Sequence, residues 1–282
     1  MLNILKMDLY RLFKSKFVYV LLIIVVAFMV LNAKSMQYSL DYMKENLSDF
    51  SQSTGSDDTD LVLSETLEYA TGQRDYTFSI FFNSMLAGTS LFTIIAIFAA
   101  IFVNAPQKTG FIKTIAQYAP DRGMFTISNL ISITLFTVIM LLSSFIGALV
   151  GFGIFFDNLN FNGFSDYIGL MMIYLLLNIA FGTFVMMFAT VIKSTGLSMT
   201  IGILCSAGTG LVFFKLIDML IRKVFETDGS FSIANYTITE NITQLGLDCD
   251  NSIIVRSVVV GFVYIIVSTV ISMIVMKKRD VK

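Results

Sequence analysis

GMFTISNLISITLFTVIMLLSSFIGALVGFGIFF, residues Gly123 to Phe156, runs for 34 positions without one Asp, Glu, Lys or Arg. A charged side chain at the centre of a bilayer costs several kcal/mol, so a stretch of this length and purity marks a segment that lives in hydrocarbon. Its backbone groups need internal partners there, and an unbroken apolar run meets that need as a helix rather than as an alternating barrel strand.

Five further charge-free windows flank it: Phe17 to Ala33, Tyr76 to Gln107, Tyr167 to Ile192, Ser194 to Phe214 and Ser257 to Met276. A helix needs roughly 20 residues to cross a bilayer. The windows therefore predict an all-α integral membrane protein with six transmembrane helices, at 17–33, 80–104, 124–152, 167–192, 194–216 and 256–276. The whole chain of 282 residues agrees with this, being 56% hydrophobic and 14% charged with a mean hydropathy of +0.79. Soluble domains are not built from such a mixture.

Loop charge sets the expected orientation. If the N-terminus is cytoplasmic, the inner segments carry 12 of the 19 basic residues and only Asp8, Asp121 and Asp280 among the acidic ones. The outer segments then hold 7 basic and 17 acidic residues. The reverse orientation inverts the bias at each loop, so both termini are expected inside. The outer face is expected to hold a large extracellular loop at 34–75, with a polar acidic tip at Phe50 to Asp60 and helical flanks at Met36 to Leu47 and Leu61 to Ala70. A second outer loop is expected at 217–255.

Several function classes fall away. A net charge of -1 gives no positive field for nucleic acid. With no histidine and two cysteines, Cys205 in an apolar span and Cys249 in a loop, neither a disulfide framework nor the usual catalytic and metal-ligating sets are available. There is no GxxxxGK[ST] loop to cradle phosphates, so the chain is expected not to be an enzyme and to bind no cofactor of its own. No Asp or Glu sits in mid-span, unlike a proton relay. Asn46, Asn235 and Asn241 each begin an N-x-[ST] triplet, but the Ile, Lys, Asn and Phe bias points to a bacterium, where the triplet has no bearing.

Two inward-facing segments stand out. The first sixteen residues, MLNILKMDLYRLFKSK, place Leu2, Leu5, Leu9, Leu12 and Phe13 on one helical face, as in an interfacial helix. Between the second and third spans, at 105–122, Pro106 and Pro120 bracket Gly110 to Tyr118. Proline disfavours helix in the residue before it, so this reads as a short isolated helix, with Phe111, Ile112, Ile115 and Tyr118 as its apolar edge and Lys113 beside it. Such a helix suits docking to a soluble partner.

A basic interfacial helix, a first span and a large outer loop precede Thr109, Gly110, Phe111, Ile112, Lys113, Thr114 and Ile115, with Arg122, Asn129, Leu130 and Ile131 beyond. This pattern resembles the permeases of ABC-2 type transporters, in which a "GTIK…sR…lsKli" segment follows the second span. Here Ala105, Pro106 and Gln107 replace the acidic residue often found ahead of the glycine, and Asn129 stands where lysine is common. The resemblance implies that Gly110 to Tyr118 is the coupling helix gripped by a cytoplasmic ABC ATPase, which binds the ATP and Mg. It also implies a second permease subunit, identical or related, and a place in a bacterial plasma membrane. Among bacterial members the shape is similar to permeases that expel antimicrobial or cytolytic peptides, in export or self-protection.

Packing signals add two expectations. Gly147 and Gly151 form a GxxxG step, and Gly202, Ser206 and Gly210 form a small-xxx-small ladder. The ladder has two readings, a face toward the partner permease or the transport path, and packing within one subunit. Asn83, Asn129 and Asn178 are the polar residues expected to bond across helices, and 16 Met and 27 Phe supply adaptable apolar walls beside membrane lipid. A rival functional class is a membrane sensor or scaffold whose outer loops bind a peptide or partner without transport.

Overall fold

The structure is a computed structural model that describes residues 2–46, 69, 76–108, 123–156, 164–208, 219, 233–246 and 249–278. Among these there are helices and no strands: α1 (Leu2–Lys14), α2 (Lys16–Glu45), α3 (Phe78–Ala87), α4 (Ser90–Lys108), α5 (Gly123–Phe155), α6 (Phe164–Ile192), α7 (Thr195–Ser206), α8 (Ile238–Thr243) and α9 (Asn251–Lys278). A 3-10 turn at Ile233–Tyr236 precedes α8. Five of them, α2, α4, α5, α6 and α9, are long and apolar enough to cross a membrane. The chain is an all-α, multi-pass type of membrane protein.

Three boundaries differ from those expected. Helix α2 continues to Glu45, so the first twelve residues of the expected loop at 34–75 prolong the first span instead of forming a separate surface helix. Its 30 residues reach about 45 Å at 1.5 Å per residue, more than a bilayer core requires. The expected span at 80–104 is two helices, because Gly88 leaves helical geometry at φ -67, ψ 140. The second of them, α4, then runs through Pro106 to Lys108. Of the expected span at 194–216 the structure describes 194–208, where the 12 residues of α7 cover about 18 Å. Gly208 ends it by adopting φ 76, the left-handed conformation that glycine takes without a Cβ clash.

The bundle forms around α6, which packs on α4, α5, α7 and α9. Buried rings stack between these helices: Phe92 on Phe181 with centroids 4.3 Å apart, and Phe98 on Phe136 at 3.7 Å. On the flank, α2 lies along α5 through Val18, Leu21, Val25, Met29 and Ala33. The GxxxG step makes this contact possible. A Cβ on Gly147 would meet the Val26 Cα at 2.9 Å, and one on Gly151 would meet the Val30 Cα at 2.9 Å. Backbones that approach so closely maximise dispersion contact where lipid offers no hydrophobic drive. Outward, α2 and α9 present Ile23, Leu31, Phe262, Val263 and Ile266, the surface that hydrocarbon solvates.

Helix ends are capped by local chemistry. Thr77, Ser194 and Thr237 accept N-terminal amides of α3, α7 and α8. Ser15 breaks α1 from α2 at φ -76, ψ 115, and the Tyr19 hydroxyl donates to the Phe13 carbonyl at 2.8 Å, serving an acceptor that the end of α1 leaves open. Lys193 takes φ 61 in the two-residue joint between α6 and α7.

Candidate functional site

The α1 helix lies across one end of the bundle, which also carries Lys16, Lys108, Lys193, Lys277 and Lys278 and is here termed the basic end. The chain leaves α4 at Lys108 and re-enters α5 at Gly123, so these two helices are the stems of residues 109–122. Helix α1 is bonded to both stems.

To α5, the Ser128 hydroxyl donates to Asp8 Oδ2 at 2.6 Å. To α4, Arg11 Nη2 donates to the Phe102 carbonyl at 2.9 Å, and the guanidinium lies 3.9 Å above the Phe102 ring. Asp8 and Arg11, one turn apart on α1, close the circuit with Nη1 and Oδ1 at 3.5 Å. The Phe102 carbonyl is a demanding acceptor because its helical donor would be the amide of residue 106, and Pro106 has none. Arg11 supplies the missing donor. That is how α4 passes through a proline that by itself predicts a break.

Burial dominates the electrostatics. Asp8 is 2% exposed, and this desolvation raises its carboxyl above the ordinary value of 3.8, outweighing the Ser128 hydrogen bond and the Arg11 charge that pull it down. Desolvation likewise lowers Arg11, against the opposing pull of Asp8. Arg11 Nε is buried without an acceptor. Next to Asp8 is a cavity of about 10 Å³, room for about one water, lined among others by Gln107, Thr126, Asn129 and Thr190.

This clamp reorients α1 relative to the expectation. The buried line runs through Ile4, Asp8 and Leu12, while Phe13 is 52% exposed. An aspartate that must face Ser128 turns the helix, leaving Leu5 and Leu9 half-buried on its flank.

At the opposite end, Asn241 is fully buried and forms a hub. Its Nδ2 donates to the Asn235 and Thr237 carbonyls at 2.8 and 2.7 Å, and its Oδ1 accepts from Arg256 Nε at 3.2 Å and Ser257 at 3.1 Å. Arg256 also donates to Gln244, which in turn donates to Glu240 at 2.8 Å. Asn241 is thus an internal strut. The Tyr174 hydroxyl sits 2.7 Å from the Leu245 carbonyl and 3.1 Å from the Asn83 amide, joining α6 to α3 and to the chain after α8. A phenol has one hydrogen, so it donates to Leu245 and accepts from Asn83 when that amide presents its nitrogen.

The expected coupling residues, Gly110, Phe111, Ile112, Lys113, Ile115 and Tyr118, lie outside the described residues, as does Gly210. Gly202 and Ser206 face inward. A Cβ on Gly202 would meet Ala96 at 2.7 Å and Val185 at 3.1 Å, and Ser206 Oγ shares a hydrogen with Thr93 at 2.7 Å. Within the described chain, Gly202 and Ser206 therefore pack against α4 and α6. Asn104 continues the same seam, donating to Ser198 at 3.2 Å. Both cysteines are free thiols, and among the described residues no three His, Cys, Asp or Glu side chains gather as metal ligands do.

Asp8, Arg11 and Ser128 are the site residues that sequence reasoning passed over. One signal was available, since Asp8 is the lone acid in the basic first sixteen residues and stands at i, i+3 from Arg11. No family model matches the chain, and no curated protein matches it.

Proposed function

We propose that the chain is the membrane-spanning permease subunit of an ATP-driven exporter of ABC-2 type, paired with a second permease and energised by separate ABC ATPases. In this reading the basic end faces the cytoplasm of a bacterium, and residues 109–122 receive the stroke of the motor. The observation that carries it is the clamp. A stroke on a free loop would be lost in its stems, whereas Asp8 to Ser128 and Arg11 to Phe102 tie α4, α5 and α1 together where that loop begins and ends. From there α4 bears on α6 and α7, and α5 bears on α2, so the load reaches both flanks of the bundle. Packed interfaces of this kind move as rigid bodies between two arrangements. The resemblance of Gly110 to Ile115 to the coupling segment supports the same reading.

Amphipathic or antimicrobial peptides are the proposed cargo, suited to Met- and Phe-rich walls and to the acidic loops. The test is expression with the neighbouring genes, purification in mild detergent and ATPase assay in proteoliposomes with a panel of peptides, lipids and drugs. An ATPase that copurifies, and whose turnover rises with a cationic amphipathic peptide, supports the proposal. If no ATPase accompanies the chain, and charged residues at Gly110 and Phe111 leave its cellular function intact, the exporter reading fails and the sensor reading takes its place.

A further inference from the structure

Between α1 and the end of α4 runs a groove of about 530 Å³, in the size range of ligand sites. It shares only Arg11 with the Asp8 clamp. Met7, Ala105, Pro106 and the Tyr10 ring give it apolar walls, and Arg11, Lys14 and Ser15 give it polar edges. Lys14 is exposed, rests 5.0 Å from the Tyr10 ring centroid and donates to the Tyr10 hydroxyl at 2.5 Å. The ion pair seen among the described residues joins Arg11 to Asp8, so Lys14 has no acidic partner there.

Position decides what meets this groove. Helix α1 stops at Lys14 and the membrane-length helix α2 starts at Lys16, so the groove lies where the chain enters the hydrocarbon. A free anion would gain nothing from the apolar walls, and a neutral acyl chain would gain nothing from Lys14. An anionic amphiphile uses both. Residues 109–122, which leave α4 beside the groove, carry Lys113 and Arg122 against Asp121 alone, and their net positive charge is repelled by Lys14. We propose that this groove binds an anionic phospholipid of the adjacent leaflet, its phosphate on Lys14 and its upper acyl chain along Met7 and Pro106.

The chain has no tryptophan, so Tyr10→Trp places a single indole at the groove, with a ring that still carries Lys14. The full chain is reconstituted in vesicles of phosphatidylcholine in which either brominated phosphatidylglycerol or brominated phosphatidylcholine is titrated. Tyr19→Trp, half-exposed on α2 and outside the groove lining, is the reference for general lipid contact. One uncompensated cation at the surface predicts a preference of about five-fold for phosphatidylglycerol at position 10. It should fall toward parity in Lys14→Gln, persist in Lys14→Arg and weaken at about 1 M salt, where the Debye length is about 3 Å. Position 19 should show no such preference. Equal quenching by the two lipids at position 10, or a preference unchanged by Lys14→Gln, overturns the proposal. Quenching by neither lipid means that protein fills the groove, and loss of the preference in about 10 mM inorganic phosphate means a free-anion site. Either result also overturns it.

Discussion

Replacing Arg11 by Met, close in length and uncharged, isolates what the clamp contributes. The Phe102 carbonyl then loses the donor that compensates for Pro106, and an unsatisfied buried acceptor costs about 1–3 kcal/mol. The cation above the Phe102 ring adds about 0.5–2 kcal/mol. The Arg11 to Asp8 attraction adds little more, because the Arg11 side chain is 27% exposed, which screens it, and Asp8 escapes by taking a proton. A loss of about 1.5–5 kcal/mol follows from these parts. Pro106→Ala separates them, since its amide restores a helical donor to the Phe102 carbonyl. In that background Arg11→Met should cost about 1–3 kcal/mol less, the share belonging to the carbonyl. Denaturant unfolding of the four proteins in mild detergent, followed by circular dichroism, gives the coupling energy. A coupling within about 0.3 kcal/mol of zero would refute the reasoning, since independent sites add to that accuracy.

Three further outcomes follow from single features. Asp8 holds its proton to higher pH in the folded chain than at its ordinary 3.8, so stability falls as pH rises through the interval between those values. Asp8→Asn, which still accepts from Ser128, should remove that decline in melting experiments across acidic pH. Gly147→Ala and Gly151→Ala push a methyl group against the Val26 and Val30 backbones, which cannot yield locally. Each should cost about 1–3 kcal/mol, while Gly169→Ala, with open space around it, should be neutral or stabilising by the same thermal assay. Lys193→Gly relieves a left-handed backbone worth about 1–2 kcal/mol and should raise the melting temperature, whereas Lys193→Val should lower it.

How much was legible in the sequence depended on the range over which each residue acts. Charge-free windows located α2, α5, α6 and α9, because exclusion of charge is a local demand of hydrocarbon. They could not see the break at Gly88, since two consecutive apolar helices and one long one have the same hydropathy. The turn chemistry of Gly88, Thr89 and Ser90 was the available sign. Pro106 misled in the opposite direction. Its local rule ends a helix, and the guanidinium that overrides the rule comes from a residue 91 positions away from Phe102. The GxxxG step at Gly147 named its own purpose, but a ladder such as that through Gly202 has the same pattern whether it meets its own chain or another, and its neighbours Ala96 and Val185 come from distant parts of the sequence. Ser128 looked like one hydroxyl among many in α5, and its partner Asp8 lies 120 positions back in the chain. Long-range polar pairing leaves little trace in composition or period.

The proposed function requires that force enter at residues 109–122 and pass through stems held by α1. A photoreactive amino acid at Phe111, irradiated in cells and followed by mass spectrometry of the adducts, tests it most directly. The expected result is an adduct to a polypeptide bearing a phosphate-binding GxxxxGK[ST] loop, retained in Asp8→Asn and weakened when Arg11 is replaced by Met. Adducts that lack any such ATPase, in cells where the chain remains functional, would contradict it.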